Sequence, residues 1–219
     1  MQKYFITATG TDIGKTFVTA ALAYQLTEVG YEVEAKKPII SGYEDGGVND
    51  TELLLKAQGA KINAKNISIC SPLRFREPTS PDYAAKLEQR EIKMAELLDI
   101  CKPQGKPDYL LIEGVGGVFV PFNESQTMMD LMAQLKMPVI VVTGSYLGSI
   151  SHTLTTLASL KARLVNNVKI VISESAENPM PLQETVETIA RFTEHQIMVL
   201  PRVVSGDFRD APDLTELVL

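Results

Sequence analysis

The apolar positions of the chain fall into two alternating periods: short apolar runs of strand length, and longer stretches with apolar residues every three or four positions. Residues 3–8 are apolar enough for a buried strand, and residues 15–29 place Phe17, Ala21, Leu22, Leu26 and Val29 on one side of a helix that Gly30 ends. Glu32 to Lys36 forms the next strand, stopped by Pro38. The stretch Glu44 to Asn49 is loop-like, and Asp50 opens a short helix carrying Leu53, Leu54 and Leu55, where it could serve as the N-cap. Between 59 and 80 polar turns and prolines dominate around a strand-like segment, Ile67 to Ile69.

Ser80-Pro81 starts a helix through Leu87, with proline at the favoured first position, and a further helix spans Ile92 to Cys101. Tyr109 to Ile112 is a strand ending in Glu113, and Thr127 caps a helix rich in methionine. Then come a strand from Pro138 to Thr143, a glycine-bearing loop, a long helix containing His152, a strand from Val168 to Ser173, a helix from Pro181 to Phe192 and a strand from Ile197 to Leu200. Nothing in its residue type marks His152 as reactive, and a packing or surface role is expected for it. Strands alternating with helices in this way predict an α/β fold, a mostly parallel sheet with helices on both faces. With no repeat or long linker, residues 1–219 read as one domain.

The connection after the first strand adds chemistry. In Ala8-Thr9-Gly10-Thr11-Asp12-Ile13-Gly14-Lys15-Thr16 a strand runs through a glycine-bearing turn into a helix opened by Gly-Lys-Thr, the order a phosphate-binding loop requires. Backbone N–H groups and the helix start face the phosphates, Lys15 reaches the terminal ones and the Thr16 hydroxyl suits magnesium. The usual first glycine of the motif is displaced by one, since Thr9 precedes Gly10. The apolar run ending in Glu113 resembles the second nucleotide-binding motif of such P-loop proteins, whose acid meets magnesium. Lys37 lies at the carboxyl end of a strand, the edge where open α/β sheets bind ligands, but Lys36-Lys37 also reads as a solvated pair.

Composition narrows the partners. The chain is 45% hydrophobic and 22% charged, ordinary for a globular protein, and its net charge of −6 argues against nonspecific nucleic-acid binding. Two cysteines, Cys70 and Cys101, and two histidines give no readable zinc site and fit core or surface thiols in a reducing compartment. With no signal peptide apparent and no apolar run of membrane-spanning length, the expected location is cytoplasmic, with no membrane partner.

Taken together, Gly10 to Thr16, Lys37-Pro38-Ile39-Ile40-Ser41-Gly42, Asn49-Asp50, Glu77-Pro78-Thr79-Ser80-Pro81 and Glu113-Gly114-Val115-Gly116-Gly117 make the chain resemble the dethiobiotin synthetases over nearly its whole length. The resemblance implies a P-loop NTPase-like homodimer that uses ATP as co-substrate, Mg2+ and CO2 to close a cyclic urea on 7,8-diaminononanoate. It implies catalytic roles for Lys37, Lys15 and Thr11, and magnesium held by Thr16, Asp50 and Glu113. It assigns nucleotide to Asp12, Ile13, Gly14, Lys15, Thr16 and Phe17, to Asp50, to Glu113, Gly114, Val115 and Gly116, and to Ser173, Glu174, Pro201, Arg202 and Val203. Substrate falls to Ser41, Gly117 and the segment Leu147-Gly148-Ser149-Ile150, the last across the dimer interface. Many family members carry glycine where this chain has Ala8, glutamate where it has Asp12, and asparagine where it has Ser173. Serine offers the base edge less than asparagine, which both donates and accepts. Regulatory ATPases of the partitioning or cell-division type share the expected fold, but generally carry an additional lysine early in the loop, and Ala8 to Thr11 contains none. A related amidoligase is the third reading.

Overall fold

The computed structural model describes residues 1–44, 46 and 49–219. Its main sheet has six strands: β1 (Gln2–Ala8), β2 (Val33–Lys36), β5 (Tyr109–Gly117), β6 (Val139–Gly144), β7 (Val168–Ser173) and β8 (Ile197–Leu200). They lie in the order β2-β5-β1-β6-β7-β8, and every neighbouring pair is parallel. β1 is therefore central, flanked by β5 and β6, and the loop after it opens at the middle of the sheet's carboxyl edge.

Both faces are covered, for a reason visible in the strand alternation. Phe5, Leu110, Ile112, Val139, Val141, Ile170 and Ile172 enter one apolar core. It is closed by α4 (Pro81–Leu87), α5 (Met94–Ile100), α6 (Met128–Leu135), α7 (Ser149–Ala162) and α8 (Leu182–Ala190). Tyr4, Ile6, Ala8, Leu111, Ile140, Val142 and Val171 point the other way. They meet α1 (Lys15–Glu28), α2 (Asp50–Ala57), α3 (Ala64–Cys70) and the C-terminal residues Phe208, Leu214 and Leu217. Cys70 and Cys101 are buried free thiols, pushed by burial up to about 11 and about 12. Among the described residues no helix is long and apolar enough to cross a membrane.

Three local expectations change. Ile67 to Ile69 lies inside the helix α3, whose N-terminus is capped by the Asn63 side chain accepting from the Asn66 N–H at 2.9 Å. Asn49, rather than Asp50, caps α2 by accepting from the Glu52 N–H, so Asp50 is the first helical residue and its carboxylate is released for other contacts. Pro38 does stop β2, but the chain continues into β3 (Ile39–Ser41), which pairs in parallel with β4 (Leu73–Phe75) as a separate two-stranded sheet. Of the loop expected over Glu44 to Asn49, residues 45, 47 and 48 lie outside the described residues.

The lysine doublet is not a solvated pair. Lys36 is 1% exposed; its ammonium donates to the carbonyls of Ile100 at 3.1 Å and Lys102 at 2.6 Å and pairs with Glu34 at 3.0 Å. It neutralises the carbonyl end of α5, where helix carbonyls lack internal partners. Lys37, one residue on, points to the carboxyl edge.

Candidate functional site

The carboxyl edge carries a continuous cleft in two parts that share residues 11–14 and Phe17. One part lies over Lys15, Thr16, Lys37, Ser41 and Asp50; the other runs over Ser173, Glu174 and Pro201 to Val203.

The first part is built from strand ends. Gly14, in a left-handed conformation at φ 97°, lets the chain turn from the loop straight into α1 without a side-chain cap. Asp12 is also left-handed at φ 56°, a conformation Asp tolerates better than most residues. Lys15 is buried and donates to the Gly10 carbonyl of its own loop at 3.1 Å. Burial lowers its pKa, a shift that the Glu113 carboxylate opposes. A buried cation whose hydrogen-bond partner among the described residues is a carbonyl is suited to an incoming anion.

Lys37, Thr16, Asp50 and Glu113 meet although they come from four elements. The Lys37 ammonium donates to Glu113 Oε1 at 2.9 Å, is bonded to Asp50 Oδ2, and lies 3.5 Å from Thr16 Oγ1. The Thr16 hydroxyl donates to the same Glu113 Oε1 at 2.7 Å. Burial pulls the Lys37 pKa down, but Glu113 and Asp50 outweigh it and hold the group above its ordinary value, so the lysine is a firm cation. Of the three buried side-chain polar atoms without a hydrogen-bond partner among the described residues, two belong here, Glu113 Oε2 and Ser41 Oγ; the third is Asp82 Oδ1. The set of one hydroxyl and two carboxylates fits a hard, oxygen-seeking divalent cation that takes its remaining ligands from phosphate and water. Among the described residues there is no cluster of three or more His, Cys, Asp or Glu side chains that would hold a metal unaided.

The glycines after Glu113 divide. A Cβ on Gly114 would lie 2.9 Å from the Phe5 ring, so this glycine admits core packing behind the site rather than a ligand in front of it. Val115 and Gly116 line the cleft, and Gly117 backs onto the loop backbone at Thr9 and Gly10. Ile40, Pro78 to Pro81, Val120 and Pro121 form its remaining wall. Of these lining residues, Ile40 and Pro78 to Pro81 stand in motifs quoted above but were assigned no contact.

At the other part, Ser173 ends β7 beside Gly14, its Oγ 3.2 Å from where a Cβ on that glycine would lie. Glu174 is already engaged: one carboxylate oxygen accepts from the Arg202 N–H at 2.8 Å, the other from the Asn178 amide at 3.3 Å. Tyr146 and His152 also line this end and are joined by a hydrogen bond of 2.9 Å. Sequence reasoning missed this pair, and the sole available signal was the spacing of six residues across a helix start. Leu147 to Ile150 do not line the cleft of their own chain; Leu147 is 85% exposed and Ser149 is buried at the start of α7.

A central phosphate loop at the carboxyl edge of a parallel sheet, with a lysine and a carboxylate beside the loop's own Lys-Thr pair, defines a P-loop nucleotide-binding protein. Solved structures agree in fold: MinD in the MinC:MinD complex of Aquifex aeolicus (TM-score 0.59, 13% identity, 96% of this chain and 86% of that one) and a ParA family ATPase of Chlorobium tepidum (0.58, 12%, 95% and 91%). The AAA domain family matches residues 2–205. Sequence goes further: an ATP-dependent dethiobiotin synthetase of Caulobacter vibrioides is 38% identical over the full length of both chains, and one of Methylobacterium nodulans is 36% identical over 92% of this chain and 94% of its own. The chain belongs to the dethiobiotin synthetase family, ATP-using ligases of biotin biosynthesis.

Proposed function

We propose that this protein, acting as one domain per protomer of a cytoplasmic homodimer, carboxylates 7,8-diaminononanoate with CO2 and closes the ring at the expense of ATP, giving dethiobiotin, ADP and phosphate. The observation that carries the reading is the meeting of Lys37, Thr16, Asp50 and Glu113 beside the phosphate loop, next to a cavity lined by Ser41.

One substrate amine adds to CO2 and loses a proton, forming a carbamate. A carbamate oxygen attacks the γ-phosphorus, ADP departs, and a carbamic-phosphoric anhydride results. The second amine then attacks the carbonyl carbon, loses its proton and expels phosphate as the urea closes. Such transfers depend on alignment and charge neutralisation more than on a covalent catalyst. Lys15 and Lys37 neutralise charge on the γ-phosphoryl and carbamate oxygens, with Thr11 donating there. Ser41, whose hydroxyl is otherwise unpartnered, orients the amine and carbamate. Thr16, Asp50 and Glu113 would hold Mg2+, which would supply neutralisation of phosphate charge. The loop 12–17 and the backbone of Val115 and Gly116 receive the phosphates, while Gly117 borders the substrate. Ser173, Glu174 and Pro201 to Val203 receive the base. Leu147 to Ile150, which do not line their own cleft, are assigned to the substrate carboxylate in the second protomer's site, where helix-start N–H groups suit an anion.

Phosphate release is measured with ATP, Mg2+ and bicarbonate, with and without 7,8-diaminononanoate. Strong stimulation by the diamine is expected. Release that ignores the diamine overturns the ligase reading and favours a regulatory ATPase.

A further inference from the structure

The three side chains assigned above to the divalent cation are the same three that the Lys37 ammonium contacts: Asp50, Glu113 and Thr16. Magnesium bonds oxygen at about 2.0–2.1 Å in a near-octahedral shell. An ammonium already at hydrogen-bond distance from those oxygens occupies the volume that the metal needs. The two cations therefore exclude each other from one position.

Displacing the ammonium without replacement is costly. Lys37 is 6% exposed and Glu113 1%, so the pair is desolvated, and breaking a buried pair leaves an uncompensated charge. Its backbone is also fixed, with the Lys37 N–H donating to the Cys70 carbonyl at 2.9 Å. Only rotation of the side-chain stem moves the ammonium. A free divalent cation brings no anion to receive it. A triphosphate does, and supplies metal ligands at the same time.

We infer that Lys37 holds the metal's place in the nucleotide-free protein, so that the divalent site opens only when a polyphosphate draws the ammonium aside. The inference rests on the metal assignment under the proposed function. Metal and nucleotide are then coupled: each tightens the other by the same factor, because linkage is reciprocal. The lysine used at the reacting phosphate thus also sets the order in which the site fills.

The test uses Mn2+ as a spin probe, titrated into the whole protein without nucleotide and then with a non-hydrolysable ATP analogue. Nucleotide-free wild-type protein is expected to bind Mn2+ at least about tenfold more weakly than Lys37→Met, and the analogue is expected to tighten Mn2+ far more in wild type than in the variant. Equal Mn2+ affinity of the two nucleotide-free proteins overturns the inference. Should Lys37→Met fail to fold, wild type and Asp50→Asn decide, since Asp50 is partly exposed. Tight Mn2+ binding to nucleotide-free wild type that Asp50→Asn abolishes is the overturning result; binding that arises only with the analogue, and that Asp50→Asn weakens, supports it. Analogue-dependent binding indifferent to Asp50→Asn rejects the metal assignment itself. Neither diamine nor CO2 enters the assay, so failure of the ligase reaction is read separately.

Discussion

The two ends of the cleft are made differently. At the phosphate end Lys15, Lys37 and Glu113 are buried, arrive from the start of α1, the end of β2 and the middle of β5, and this end is bonded across tens of residues of sequence, including Lys37 to Glu113 and Thr16 to Glu113. At the base end Ser173 is only half-buried, and Glu174 spends its carboxylate on the protein itself. Preorganised charge in a desolvated site acts on a transition state at little reorganisation cost, whereas half-exposed polar groups contribute modest, adjustable binding. Under the proposed function, the difference corresponds to chemistry at one end and ligand retention at the other.

Lys37→Ala is the most severe test of that division. Loss of a preorganised cation from the reacting phosphoryl group costs about 3–4 kcal/mol, a fall in kcat of about 200- to 900-fold, while ATP affinity stays within about threefold. Single-turnover phosphate release and calorimetric ATP binding measure the two separately. Reduced ATP affinity at an unchanged rate would place Lys37 on the retention side and erase the contrast.

Lys15→Ala comes next, with kcat/KM falling about 100-fold and the loss divided between ATP affinity and rate, because in the proposed mechanism this lysine meets phosphate both before and during transfer. Its present partner is a loop carbonyl, which ATP replaces without breaking an ion pair. Full activity in Lys15→Ala would remove the loop from the reaction.

The same contrast governs what the sequence discloses. The strand, glycine turn and Gly-Lys-Thr order is local, and parallel pairing of β2 with β5 sets Lys37, just past the end of β2, beside Glu113, which lies inside β5 (Tyr109–Gly117) rather than at the strand end the sequence suggested. Glu113 was marked by the apolar run that precedes it, whereas the role of Lys37 rested on family resemblance, since spacing alone left it balanced against a solvated pair. Lys36 was hidden because its partners, the Ile100 and Lys102 carbonyls, exist only once α5 is docked. β3 and β4 have three residues each, too few for a period to show, and Ile67-Ser68-Ile69 alternates like a strand inside a capped helix. At the base end, what Glu174 touches depends on where β8 delivers Arg202, a tertiary fact with no local signature.

Two smaller effects sharpen the base end. Glu174 ties the Arg202 backbone and Asn178 together, so Glu174→Ala is expected to loosen the base wall and weaken ATP and GTP alike, by about fivefold, with kcat unchanged. A loss confined to ATP would make the carboxylate a reader of the adenine edge. Glu174→Gln, which keeps an acceptor for the Arg202 N–H, should recover most of the affinity. Ser173→Asn is the mildest change. Asparagine adds a donor and an acceptor where serine has one hydroxyl, and a net hydrogen bond is worth about 1 kcal/mol, so ATP should gain about threefold to fivefold over GTP in competition binding. An unchanged ratio would mean that the base lies beyond reach of position 173 and that this end retains nucleotide by shape and backbone alone.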